Sequence, residues 1–302
     1  MAMRGFHGVW EATTLESSLT MMKSGAVTRL RLAEDNFALD GVSLAQITAA
    51  LLSQKSSIET LWMRELKIPS DAGSSLCELV ARSTRLTELY LEDNALGDIG
   101  LVDMCTSALA NNRTLRTLCL DSNGITGHVL PSLGESLATH PCLTELSLSR
   151  NPLHVSELGH FFGAAQANTA LKILRLSGCA IGPSFPVQCI KLKGLELLDL
   201  SNNQIEDLPN CVGAHETLRN VNLTGNTPRL RKRLETLAAA ADQEAAADTA
   251  AGRFGQKENK QKREKQVISW RVVHPQLKKL ASADAAAMAK LGALTTGRSA
   301  AM

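Results

Sequence analysis

Three clusters in this 302-residue chain carry side chains able to do chemistry. Trp62 and Arg64 form the first, and Glu88, Tyr90 and Glu92 the second, both at alternating positions. The third is basic, with Lys257, Lys260, Lys262, Arg263 and Lys265 followed by Trp270 and Arg271. Aromatic rings ringed by charge suit association, where truncating one well-placed ring can cost about 2 kcal/mol or more. Bond-making needs something else, a nucleophile beside a base that a third group orients. The sequence has no G-x-x-x-x-G-K-[ST] phosphate loop, no G-x-S-x-G elbow and no H-E-x-x-H zinc pair. Its seven His are scattered and its seven Cys include no C-x-x-C pair. No catalytic residue, metal or cofactor is therefore expected.

A repeat positions the first two clusters. The spacing L-x-x-L-x-L-x-x-N-x-L occurs at Leu86, Leu89, Leu91, Asn94 and Leu96. It returns at Leu115, Leu118, Leu120, Asn123 and Ile125, and at Leu143, Leu146, Leu148, Asn151 and Leu153. The next copy, Leu171, Leu174, Leu176, Cys179 and Ile181, has Cys in the Asn place. Tighter copies follow at Leu195, Leu198, Leu200, Asn203 and Ile205, and at Leu218, Val221, Leu223 and Asn226. Upstream lie two degraded copies: Val27, Leu30, Leu32, Asp35 and Phe37, then Ile58, Leu61, Met63, Leu66 and Ile68. The steps between first positions are 31, 28, 29, 28, 28, 24 and 23 residues. Such a period signals stacked repeats that bury a common core.

Each fixed position has a physical reason. The x-L-x-L-x segment reads as a short strand whose Leu side chains point in and whose x residues point out. The Asn turns the chain, and its amide bonds backbone groups that the turn would leave buried and unpaired. A Cys is a weaker partner there, so a softer turn is expected at Cys179, and an irregular one at Leu66. After the turn, Ile99, Leu101, Val102, Cys105 and Leu109 are assigned to one helical face. Val129, Leu133 and Leu137 form another, with Pro131 near the helix start. Leu208-Pro209 in the shorter repeats predicts an extended or 3₁₀ segment.

Repeats of this length with a helix after the turn resemble the ribonuclease-inhibitor class of leucine-rich repeats. That class is also found in the sensor ends of NOD-like receptors and in Ran GTPase-activating proteins. The resemblance covers about residues 27–226. It implies an α/β horseshoe solenoid, with a parallel sheet on the concave side and helices on the convex side.

The ends need covers, because a solenoid exposes apolar surface at both. Residues 1–26, with Trp10, Leu15, Leu19 and Met22, are read as an N-terminal cap. Residues 227–251 are read as a capping helix in which Thr227-Pro228 starts the turn and Leu230, Leu234 and Leu237 face inward. Residues 252–302 are a basic extension, disordered alone or ordered by a partner, with a short β-prone run at Val267–Val273. Residues 1–226 hold 17 Lys+Arg against 23 Asp+Glu, while residues 227–302 hold 15 against 7. Free thiols, no apolar leader and no run of about 18 apolar residues together imply a reducing, cytoplasmic setting without a membrane span.

Strand alternation places Arg31, Trp62, Tyr90, Cys119, Ser147, Arg175, Asp199 and Asn222 in one concave column. The residues assigned to partner binding are Arg31, Trp62, Arg64, Glu88, Tyr90, Glu92, Arg175 and Asp199. The basic stretch suits an acidic protein surface such as a tubulin tail, an anionic membrane or nucleic acid. No aromatic is interleaved with its charges, which favours protein over nucleic acid. These readings converge on a non-enzymatic protein-interaction scaffold within a multi-subunit intracellular assembly, with a ciliary or flagellar axoneme as the example. The rivals are a small-GTPase regulator acting through the repeat face and an RNA- or ribosome-associated protein acting through the tail.

Overall fold

A computed structural model describes residues 4–6, 9–32, 39–209, 212 and 215–236. Asp35, Phe37, Cys211, Leu237, the Ala-rich run and the whole 252–302 extension lie outside the described residues.

Ten short strands form one sheet in chain order. They are β1 (Arg4–Phe6), β2 (Val9–Ala12), β3 (Arg29–Leu32), β4 (Thr60–Trp62), β5 (Glu88–Tyr90), β6 (Thr117–Cys119), β7 (Glu145–Ser147), β8 (Ile173–Arg175), β9 (Leu197–Asp199) and β10 (Asn220–Asn222). β1 and β2 make an antiparallel hairpin, and from β2 to β10 every pairing is parallel. Parallel neighbours need a crossover. Most crossovers carry an α-helix: α1 (Leu15–Ser24), α2 (Gly41–Leu51), α3 (Gly73–Arg82), α4 (Gly97–Asp103), α5 (Leu130–Ala138) and α6 (Leu158–Ala164). The shorter crossovers are a 3₁₀ turn at Val187–Lys191 and an extended stretch in which Asp207 bridges Ser184. A last helix, α7, covers residues 228–236.

The core is a column of aligned inward side chains: Leu30, Leu61, Leu89, Leu118, Leu146, Leu174, Leu198 and Val221. None is more than 1 % exposed. Burying each such side chain contributes about 1.5–3 kcal/mol. Ala12 and Met22 close one end of this core, and Leu230 and Leu234 of α7 close the other.

Two ladders of polar side chains hold successive repeats together. On the rim after the strands, Asn94 Nδ2 donates to Met63 O and Leu91 O, both at 2.8 Å. Its Oδ1 accepts from Leu66 N and Ile68 N, each at 3.1 Å. Asn151 and Asn203 repeat both halves of this pattern, and Asn226 donates to Leu200 O and Leu223 O and accepts from Ile205 N. Asn123 donates in the same way, but its buried Oδ1 has no hydrogen-bond partner. Cys179 offers Sγ to Leu148 O at 3.2 Å and no acceptor amide oxygen. The residue before each turn position has positive φ, from Glu65, Asp93, Ser122 and Arg150 to Gly178, Asn202 and Gly225. Glycine occupies that left-handed position without strain at Gly178 and Gly225. Leu66 keeps the same backbone turn with its side chain wholly buried.

The rim before the strands has its own ladder, three residues ahead of the first Leu of a repeat. Ser83, Asn112, His140, Asn168 and His215 each accept from the backbone N–H of Leu86, Leu115, Leu143, Leu171 and Leu218. Asn112, Asn168 and His215 also reach back to the preceding repeat, at Val80 O, Leu137 O and Leu192 O. The Nε2 of His140 is buried without a partner.

Two expectations are corrected. Ile99 is 71 % exposed and Val102 38 %, while Gly100, Leu101, Met104, Cys105, Ala108 and Leu109 are buried. At about 3.6 residues per turn, Ile99 stands nearly opposite Leu101, so the two cannot share a face. The helix also widens into a π-turn over Met104–Leu109, which carries the buried face forward at a spacing of four. At the N-terminus, Trp10 is not helical. It lies on β2 and is 37 % exposed, whereas α1 buries Met21 and Met22.

Candidate functional site

The outward face of the sheet is built by the register. Arg31, Trp62, Tyr90, Cys119, Ser147, Arg175, Asp199 and Asn222 are successive neighbours along it. A parallel column runs through Arg29, Thr60, Glu88, Thr117, Glu145, Ile173, Leu197 and Asn220. Period-two alternation alone puts both columns on one face.

At the β3–β5 end the large side chains stack. Trp62 and Tyr90 lie almost parallel, with ring centroids 5.3 Å apart and an interplanar angle of 11°. The Arg29 guanidinium covers Trp62 at 5.4 Å from the ring centroid. Strand spacing explains the stack, because neighbouring strands lie about 4.8 Å apart and aligned rings meet face to face. Offset ring pairs and cation–π contacts each add about 0.5–1.5 kcal/mol where they are partly desolvated. Tyr90 donates its hydroxyl to Glu88 Oε2 at 3.2 Å. Burial, and then the Glu88 carboxylate, push its phenol up to about 12, so Tyr90 stays a neutral donor.

Charge surrounds the rings. Arg64 lies 3.4 Å from Asp93 and 3.8 Å from Glu92, and Arg150 reaches the same Asp93 at 3.3 Å. Glu92 is largely covered, and burial raises its carboxyl above the usual range. Its Oε2 is in ion-pair range of Arg64 but has no hydrogen-bond partner. Burial also raises the Cys119 thiol, helped by the Asp121 and Glu92 carboxylates, which keeps it unreactive.

The structure thus brings Trp62, Arg64, Glu88, Tyr90 and Glu92 into one patch. Arg175 and Asp199 stand apart from it. The small, buried Cys119 and Ser147 lie between Tyr90 and Arg175 in the column. Arg175 pairs with Glu145, and Asp199 accepts from Ser201 N at 2.9 Å on its own chain turn. Arg31 is exposed beside Trp62 in the register. Sequence reasoning passed over Arg29, Asp93 and Arg150. Arg29 was visible in principle, since it lies two residues before Arg31 on the same strand face. Asp93 and Arg150 sit in left-handed turns outside the strands, where alternation gives no signal. The tail residues Lys257, Lys260, Lys262, Arg263, Lys265, Trp270 and Arg271 lie outside the described residues.

Among the described residues no three His, Cys, Asp or Glu are grouped to hold a metal ion, and no helix is long and apolar enough to cross a membrane. Six cysteines, Cys77, Cys105, Cys119, Cys142, Cys179 and Cys189, are free.

Comparison with known proteins points the same way. Family models described as leucine-rich repeat match residues 82–105 and 194–214. The ribonuclease inhibitor of Sus scrofa is 31 % identical over 176 residues, which is 58 % of this chain and 38 % of that protein. The human NACHT, LRR and PYD domains-containing protein 3 is 25 % identical over 206 residues, 67 % of this chain and 20 % of that protein. The chain therefore spans less than half the length of these relatives. Among solved structures, a Caenorhabditis elegans tropomodulin C-terminal domain superposes with a TM-score of 0.40 at 17 % identity, covering 51 % of this chain and 93 % of that one. The repeat spacing, the parallel sheet with its crossover helices and the matched relatives converge: the chain is a leucine-rich-repeat solenoid of the ribonuclease-inhibitor-like class.

Proposed function

We propose that this protein is a non-enzymatic protein-interaction scaffold whose main contact is the sheet face around Trp62 and Tyr90. The observation that carries the reading is the Arg29–Trp62–Tyr90 stack, held partly exposed on a rigid sheet and bordered by Arg64, Glu88 and Glu92. Large rings whose rotamers are fixed before binding lose little entropy on association, which makes them good anchors. The relatives support a binding role, since one is named for inhibiting a ribonuclease. The basic stretch Lys257–Lys265 supplies a second contact for an acidic partner surface, and the two contacts together suit a subunit of a larger assembly. An axonemal or tubulin partner is one form of that proposal and rests on the basic tail alone.

The test compares the full chain with Trp62→Ala and Tyr90→Ala in affinity capture followed by titration of the captured partner. Each change is expected to weaken binding by about 2 kcal/mol, roughly thirtyfold, with the thermal midpoint little altered. Unchanged affinity with unchanged stability would move the contact off this face.

A further inference from the structure

The repeats follow one order of strand, turn, helix-side segment and next strand, and the described residues stop one element short of completing it. After β10 comes the Asn226 turn and then α7. Thr227 Oγ1 accepts from Leu230 N at the start of that helix. Arg229 and Arg233 fasten it to Glu206 and Asp207 of the preceding repeat, at 2.8 and 2.5 Å. α7 therefore takes the place of a helix-side segment, and the next place in the order is a strand on the outer edge of β10. Among the described residues no strand occupies it.

The register says what that edge offers. Leu200 N–H donates across the sheet to Asn222 O at 2.9 Å, and Asn220 N–H donates to Glu196 O at 3.0 Å. Parallel pairing uses alternate residues on alternate sides. Applied one strand further, it turns the N–H groups of Val221 and Leu223 and the C=O groups of Arg219 and Val221 away from β9. A row of backbone donors and acceptors of this kind is a template for another strand.

Beyond α7 the sequence contains one run with strand character. In Ile268-Ser269-Trp270-Arg271-Val272, apolar residues alternate with polar ones and are β-branched or aromatic. This is the in–out pattern of β10 itself, where Val221 lies between Asn220 and Asn222. We propose that Ile268–Val272 pairs in parallel with the outer edge of β10 as an eleventh strand. Trp270 then aligns with Val221 over the end of the core, and Ser269 and Arg271 take the outward positions. The chain between α7 and this run becomes a loop closed at both ends, with Lys257–Lys265 on it. An inserted loop of this length adds little closure cost, since each doubling of loop length adds only about 0.6 kcal/mol. The pairing does not depend on the association proposed for the sheet face.

Amide hydrogen exchange resolved to single residues tests it on the full chain. In the pattern above, Ser269 N–H donates to Arg219 O, and Ser269→Pro removes that donor. Expected are protected amides at Val221 and Leu223 in the unaltered chain and at least about tenfold faster exchange there in the variant. The amides of β6 and β7 serve as internal controls and stay unchanged. Equal exchange at Val221 and Leu223 in the two proteins would overturn the proposal. So would protection that disappears on dilution, because the edge would then be covered by a second copy of the chain.

Discussion

The two rims of the sheet solve one problem with different chemistry. After the strands, a buried turn needs a group that donates to two carbonyls and accepts from two N–H groups at once. The planar amide of Asn does this at Asn94, Asn151 and Asn203. Before the strands the shared demand is smaller, a single acceptor for the N–H three residues on. Ser83, Asn112, His140, Asn168 and His215 all meet it. A strict geometric demand leaves a strict sequence signal, and a lax one allows the residue type to drift.

The largest test of that contrast is Asn151→Ala. It removes donors to Leu120 O and Leu148 O and the acceptor for Asn123 N and Ile125 N, all buried. Each buried group left unpaired costs about 1–3 kcal/mol, so a loss of about 3 kcal/mol or more is expected in urea unfolding. Asn123→Ala starts from a rung whose Oδ1 is already bare. It should cost about half as much. Equal losses at the two sites would mean that the acceptor half of the rung contributes nothing.

The next effect distinguishes the rims by pH. His140 Nδ1 accepts from Cys142 N and Leu143 N, so the proton sits on Nε2 and the ring is neutral. Burial, assisted by Arg113, pushes its pKa down to about 4, against an ordinary value of 6.5. Between those values the unfolded chain binds a proton that the folded chain refuses. Stability should therefore be full above pH 6.5 and fall as the pH drops towards 4. His215 is lowered as well, first by burial, and adds to the same fall. His140→Asn, copying Asn112 and Asn168, should keep the rung at neutral pH and flatten this part of the profile. An unaltered slope would remove His140 as its source.

The contrast also explains what the sequence revealed. The strands, their register and the Asn turns were legible because Leu and Asn recur under fixed constraints, and a side-chain slip of one residue would expose the core. The outward column followed from alternation. The stack of Arg29 on Trp62 and the sharing of Asp93 by Arg64 and Arg150 were not legible. They depend on where long side chains settle, and no period encodes that. Ile99 and Val102 were misassigned because a Leu-rich window holds more apolar residues than one helical face can bury. The second ladder was missed since three residue types share one role.

The smallest expected effect concerns the one interrupted rung. At Asn123 and Ile125 the backbone N–H groups donate to the Oδ1 of the following Asn. One repeat later the partner is Cys179, which has no such oxygen. There Leu153 N–H turns instead to Asn151 O at 2.8 Å, and His154 takes a positive φ, which an ordinary L-residue adopts only with strain. Cys179→Asn restores the amide in a site where burial already pushes the thiol up to about 12 and keeps it inert. A gain of about 1 kcal/mol or less is expected, because the 151–154 loop must first give up its substitute bond. If the variant instead loses stability, that loop is a stable alternative to the Asn rung, and the turn rim tolerates more than one solution after all.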